Sequence, residues 1–86
     1  MDYSNSSKKE IRRFYKAIAD NVRHHRTTKR YSQLDLALEI GISSVAFYSN
    51  CENVRYDKHF NLEHLYKIAK ALDICVCDII KPPSLV

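Results

Sequence analysis

At 86 residues and 10.1 kDa the chain is sized for one domain, and 45% hydrophobic against 28% charged residues is the balance of a globular protein, not a disordered one. One Gly and two Pro leave little material for hairpin turns and none for a Gly-rich phosphate cradle, so β-rich and nucleotide-cradling folds are excluded. The net charge of +4 is modest, but it is unevenly spread.

Residues 1–7 are polar and are expected to form a frayed tail. From there Ile11, Phe14, Ile18 and Val22 recur at spacings of three and four, which predicts a long first helix over 8–27 capped by Ser6 or Ser7. Four further helix starts share one pattern: an apolar residue, a cap, then a second apolar residue five positions after the first. They are Tyr31-Ser32 with Leu36, Ile42-Ser43 with Phe47, Phe60-Asn61 with Leu65, and Ile74-Cys75 with Ile79. The predicted segments are 33–40, 44–52, 62–72 and 76–80, with Pro82-Pro83 as the stop. Leu34, Leu36, Ala37 and Ile40 are expected to face inward on the second helix, and Leu62, Leu65, Ile68, Ala69 and Leu72 on the fourth. The expectation is an all-α, five-helix bundle: one domain over 8–81 between tails at 1–7 and 82–86.

Residues 8–30 hold nine of the fourteen cations against only Glu10 and Asp20, while residues 31–86 are net acidic. Such a basic segment suits a polyanion, nucleic acid first, although charge alone fits a solvated helix face equally well. Cys51, Cys75 and Cys77 form an odd set without C-x-x-C, and with His24, His25, His59 and His64 they match no zinc spacing. Neither metal nor cofactor is expected. No apolar run approaches the ~20 residues of a bilayer span, and Met1–Ser7 lacks the apolar stretch of a signal, so a soluble, cytoplasmic protein is expected.

Gly41, the only glycine, falls between two short helices, where a sharp turn needs a left-handed residue. Two helices joined this way suggest a helix-turn-helix, whose second helix enters the DNA major groove. The run Val22…Arg26…Tyr31-Ser32-Gln33…Leu36-Ala37…Gly41-Ile42-Ser43…Glu52, then Leu62-Glu63-His64-Leu65-Tyr66-Lys67-Ile68-Ala69-Lys70-Ala71-Leu72 and Ile74…Asp78, resembles the XRE/Cro/C1-type helix-turn-helix family of lambda-repressor-like domains. The resemblance covers roughly 18–80. It implies a five-helix DNA-binding domain in which Gln33 contacts phosphate and braces the reading helix, and Ser43 caps that helix. It also implies a pair between Arg26 and Glu52. The chain departs from the family's pattern in having one residue more between Gly41 and Glu52. That residue is expected in a bulge or late 3₁₀ turn of helix 3, or else Cys51 takes the Glu position. Asn53 or Val54 stands where the family has a Gly, and Arg30 where a Gly often ends helix 1.

On the third helix Phe47 and Cys51 are expected inside. Ser44, Val45 or Ala46, Tyr48, Ser49 and Asn50 are left to reach base edges, with packing as the alternative for Tyr48. Arg55, Lys58, His59 and the helix-1 cations would hold phosphates. No arrangement of acid, base and nucleophile marks an enzyme. The expected function is that of a sequence-specific DNA-binding transcriptional regulator, a repressor of the phage type or a restriction-modification controller. It would act as a dimer joined through Val76, Ile79, Ile80, Leu85 and Val86, or through Ile11, Phe14 and Tyr15. The alternative is an antitoxin or adaptor acting on a protein partner.

Overall fold

A computed structural model describes residues 7–81. Within them the chain is all-helical: α1 (Lys8–Thr28), α2 (Gln33–Glu39), α3 (Val45–Glu52), α4 (Leu62–Leu72) and a closing 3₁₀ turn (Val76–Asp78). The expected fifth helix is thus one 3₁₀ turn. Its cap is a cysteine, whose Sγ accepts from the Cys77 N–H, and it delivers Ile79, which is fully buried, to the core. The tail residues 1–6 and 82–86 lie outside the described residues, so Ser6, Leu85 and Val86 are not placed.

Every α-helix starts on a side-chain oxygen. Ser7 accepts from the Glu10 N–H, and Ser32 forms a reciprocal box with Asp35 at 3.0 and 3.1 Å. Asn61 accepts from the His64 N–H at 2.8 Å while His64 Nδ1 accepts from the Asn61 N–H at 3.1 Å. Helix α3 differs from expectation: its cap is Ser44, which accepts from the Phe47 N–H, not Ser43. Either serine can cap, and Ser44 wins by one register. The residue that separates Gly41 from Glu52 by eleven positions therefore sits in the turn ahead of α3, and the helix itself runs unbroken to Glu52.

Every α-helix also ends alike. Arg30, Gly41, Val54 and Asp73 take left-handed backbone, at φ of 63°, 81°, 49° and 55°. Each next residue donates its N–H five positions back: Tyr31 to Arg26, Ile42 to Ala37, Arg55 to Asn50 and Ile74 to Ala69, at 2.8 to 3.0 Å. This is the Schellman closure. Glycine occupies only one of the four positions, and the others hold side chains that the left-handed region disfavours by roughly 1–2 kcal/mol each. Apolar anchoring offsets that cost: Tyr31 and Ile74, which follow Arg30 and Asp73, pack on the core, and Val54 is itself buried. Val54, not Asn53, takes the turn after α3, because the helix hydrogen bonds persist through Asn53 and leave the next residue to close them.

Arg30 is exposed, so nothing but backbone strain is at stake there. Arg30→Gly is expected to raise stability by about 0.5–1 kcal/mol, strain relief outweighing the extra freedom of the unfolded chain. Urea unfolding checks it; Val54→Gly, which also removes a buried side chain, should show no such gain.

The core joins Ile18 and Val22 of α1, Leu36 and Ala37 of α2, Ile40 and Ile42 of the turn after it, Tyr48 and Cys51 of α3, Phe60, and Leu65, Ile68, Ala69 and Leu72 of α4, with Ile79. Leu34 and Leu62, expected inward, are exposed by 51% and 77%. Both sit in the first turn of their helix, where the neighbouring elements do not reach. Ile11 and Phe14 are exposed as well, because the first turns of α1 meet only the loop after α3 and lie outside the core, which begins at Ile18.

Candidate nucleic-acid interface

The centre of the molecule is a carboxylate. Glu52 ends α3 and is completely buried. Arg26 Nε donates to its Oε2 at 2.9 Å and Arg26 Nη2 to its Oε1 at 3.0 Å, a bidentate fork. Tyr48 OH donates to Oε2 at 2.7 Å, Gln33 Nε2 to Oε1 at 3.1 Å and Arg23 Nε to Oε1 at 3.2 Å. Arg23 Nη2 also reaches the Glu52 carbonyl and Asn53 Oδ1, and Arg26 Nη1 donates to the Tyr31 carbonyl. One carboxylate thus ties α1, the start of α2 and the last turn of α3 together. Among the described residues no buried side-chain nitrogen or oxygen is left without a partner.

Burial pushes the Glu52 carboxyl up, but the hydrogen bonds from Arg26, Tyr48 and Gln33 outweigh it and hold its pKa below the ordinary glutamate value. The same bond to Glu52 raises the Arg26 pKa against desolvation, and burial followed by the bond to Glu52 keeps the Tyr48 phenol protonated. Burial also pushes the Cys51 thiol up to about 11. Desolvation lowers the pKa of His64, whose Nδ1 must stay unprotonated to accept from Asn61.

These directions set two pH windows. His64 and Glu52 both have folded pKa values below their unfolded ones, so each contributes stability at pH above the unfolded value and loses it as pH falls. The loss begins below about pH 6.5 for His64 and below about pH 4.3 for Glu52. Thermal melts from pH 8 to 3 should show both slopes. Glu52→Gln should flatten the lower one and His64→Asn the upper, and a melt unchanged down to pH 4 would contradict the His64 assignment.

The remaining residues of α3 are more open. Val45 is 43% exposed, Ala46 is exposed, and Ser49 and Asn50 are half-buried at its edge. Tyr48, for which base contact and packing were both open, takes the second: its ring lies wholly inside, 5.3 Å from Phe60, and its hydroxyl serves Glu52. Phe47, expected inside, is only half-buried, set edge-on to His64 at 6.2 Å. Helix α3 is therefore turned by about one residue from the expected orientation. Ser44 is exposed with its oxygen engaged as cap, and Ser43 is exposed without that role. A Gln33 side-chain donor is directed at Glu52, which makes it a brace for α3. Arg55 and Lys58 are exposed in the loop after α3.

Two partners of Glu52, Arg23 and the Tyr48 hydroxyl, are not among those expected from the sequence. Both carried a signal: Arg23 lies three residues before Arg26 and Tyr48 four before Glu52, the spacings that share a helix face. Cys75 and Cys77 are exposed free thiols, and among the described residues no group of three or more His, Cys, Asp or Glu could hold a metal ion. No described helix is long and apolar enough to cross a membrane.

The fold and site define an all-α domain in which a basic helix is pinned to a short, half-buried one through a buried carboxylate. Compared with family models, with curated proteins and with solved structures, the chain has no significant match.

Proposed function

We propose that the protein is a sequence-specific, double-stranded DNA-binding regulator of the lambda-repressor-like, XRE/Cro/C1 type, with α2 and α3 as a helix-turn-helix acting in the cytoplasm. The observation that carries this reading is the placement of α3. Its last turn is locked by Glu52 to Arg23 and Arg26 of a basic helix, while Val45 and Ala46 of its first turn are exposed and Ser49 and Asn50 are half-exposed. That suits a reading helix whose angle must be rigid while its outer face stays open. Asn50 offers the bidentate donor–acceptor pair that matches adenine, and Val45 an apolar contact for a thymine methyl. With no Arg or Lys on α3, A·T-rich sites are favoured. Arg55 and Lys58 would hold phosphates and set register.

Reading a genome with so short a helix calls for two half-sites and hence a dimer. Of the two expected pairing surfaces, Ile79 is fully buried and Val76 and Ile80 pack on the core, whereas Ile11 and Phe14 are exposed. The side of α1 that carries Phe14 is the better candidate, since Tyr15 is taken up by its stacking on His59. A second reading, an antitoxin or adaptor acting through a protein partner, is favoured by the exposed Leu34, Leu38, Leu62 and Tyr66. Selection of bound duplexes from random DNA separates the two. Recovery of a defined A·T-rich sequence, weakened by Asn50→Ala, supports the DNA reading; no enrichment and no retention of duplex refutes it.

A further inference from the structure

After α3 the chain turns back along the first half of α1, and the two enclose a trough. It consists of two adjoining hollows of about 300 and 260 Å³ that share Arg12 and Val54. Lys8, Arg12, Arg13 and Lys16 line it from α1, and Val54 and His59 from the loop. Its floor is built: Arg12 Nη2 donates to the Val54 carbonyl at 3.3 Å, and Tyr15 stacks on His59 at 3.9 Å with the rings 12° apart. Left-handed backbone at Val54, Tyr56 and Asp57 holds the loop in this course at a cost in strain.

Little in the trough answers its charge. The one acid lining it, Asp57, is fully exposed and 3.9 Å from Arg12, a distance at which water screens the pair. Lys16 pairs with Asp20 on the surface, and Arg13 bonds to no other described residue. The trough also begins where the reading helix ends, since Asn53 and Val54 directly follow Glu52.

We infer that this trough is a second nucleic-acid contact, taking the phosphate backbone beside the stretch of DNA that α3 reads. It rests on the DNA reading above. The extra turns of α1 then add sequence-independent affinity from outside the helix-turn-helix. The trough reads no bases, because guanidinium and ammonium groups facing a phosphate neutralise charge without distinguishing base pairs.

The test uses the full chain and a 20-base-pair A·T-rich duplex, with fluorescence anisotropy over a salt series. Arg13→Gln/Lys16→Gln alters two exposed side chains, and circular dichroism checks that it is folded. It should reduce the slope of log K against log [salt] by about one to two and weaken binding roughly ten- to fiftyfold near 0.1 M salt, equally for all sequences. Lys67→Gln/Lys70→Gln, the same charge change on α4, should alter the slope much less. Wild-type binding with a slope that the α1 pair leaves unchanged, or that both pairs reduce equally, overturns the trough and leaves the DNA reading intact. A wild type without salt-dependent duplex binding overturns both. Polyglutamate is the remaining arm: if the α1 pair abolishes its binding while duplex binding persists, the trough belongs to acidic polypeptide and the inference fails.

Discussion

Glu52→Ala is expected to destabilise the protein by about 3–5 kcal/mol, since it strips the counter-charge from a buried guanidinium and the partner from a buried phenol. Arg26 is only 11% exposed and Tyr48 not at all, so neither can turn to water for compensation. A domain of this size holds a total stability at the lower end of about 5–15 kcal/mol, which puts the variant near the edge of unfolding. Arg26→Ala should cost less, about 2–4 kcal/mol, because Arg23, Tyr48 and Gln33 still face the carboxylate. The double variant should fall short of the sum by about 1–3 kcal/mol in urea unfolding, the coupling expected of groups in direct contact. Additive costs would mean that the pair contributes nothing. Tyr48→Phe keeps the ring and removes one donor, so a folded protein weaker by about 1–3 kcal/mol gives the same network a milder test.

Duplex binding should weaken by about a thousandfold between 50 and 200 mM salt if six phosphates are contacted, at a log–log slope near −0.9 for each. Arg55, Lys58 and the exposed cations in the first half of α1 are surface charges that would release counterions and carry this dependence. Asn50→Ala should leave the slope in place while losing about 1–3 kcal/mol of discrimination at one adenine. A flat salt response with retained binding would exclude phosphate contact and the DNA reading with it. Glu52→Gln joins the two experiments: it loosens the tie between α1 and α3 without touching the outer face of α3. A folded variant with weaker sequence preference is the outcome expected if rigid placement of α3 matters.

Helix positions were largely legible in the sequence because their causes are local. Ser32 with Asp35, and Asn61 with His64, satisfy backbone donors within three residues, and the periodicity of Ile18 and Val22 or Leu65, Ile68, Ala69 and Leu72 places a core face without reference to the rest of the chain. Arg26 and Glu52 could be set against each other only through the resemblance, since they lie 26 residues apart. Local chemistry did not decide between Ser43 and Ser44, two adjacent caps of equal merit, nor foresee that the closing element would amount to one 3₁₀ turn.

What tertiary structure alone decided is the direction in which α3 faces. Its inward residues were expected to be Phe47 and Cys51, with Glu52 tied to Arg26 only through the resemblance; Cys51 is indeed inside, but Tyr48 and the whole of Glu52 join it and Phe47 is half out. A periodicity argument assigns each side chain a fixed preference for water or core, and glutamate always falls on the wet side. Two arginines, a phenol and an amide, brought in from α1, α2 and α3 itself, reverse that preference by supplying more hydrogen bonds to the carboxylate than its desolvation takes away. The sequence by itself determined, to about a residue, where α1, α2 and α4 start and stop, because those bonds close within one turn of chain. Which face of α3 remains free for a partner was decided only in the fold, because the bonds that orient it span the whole bundle.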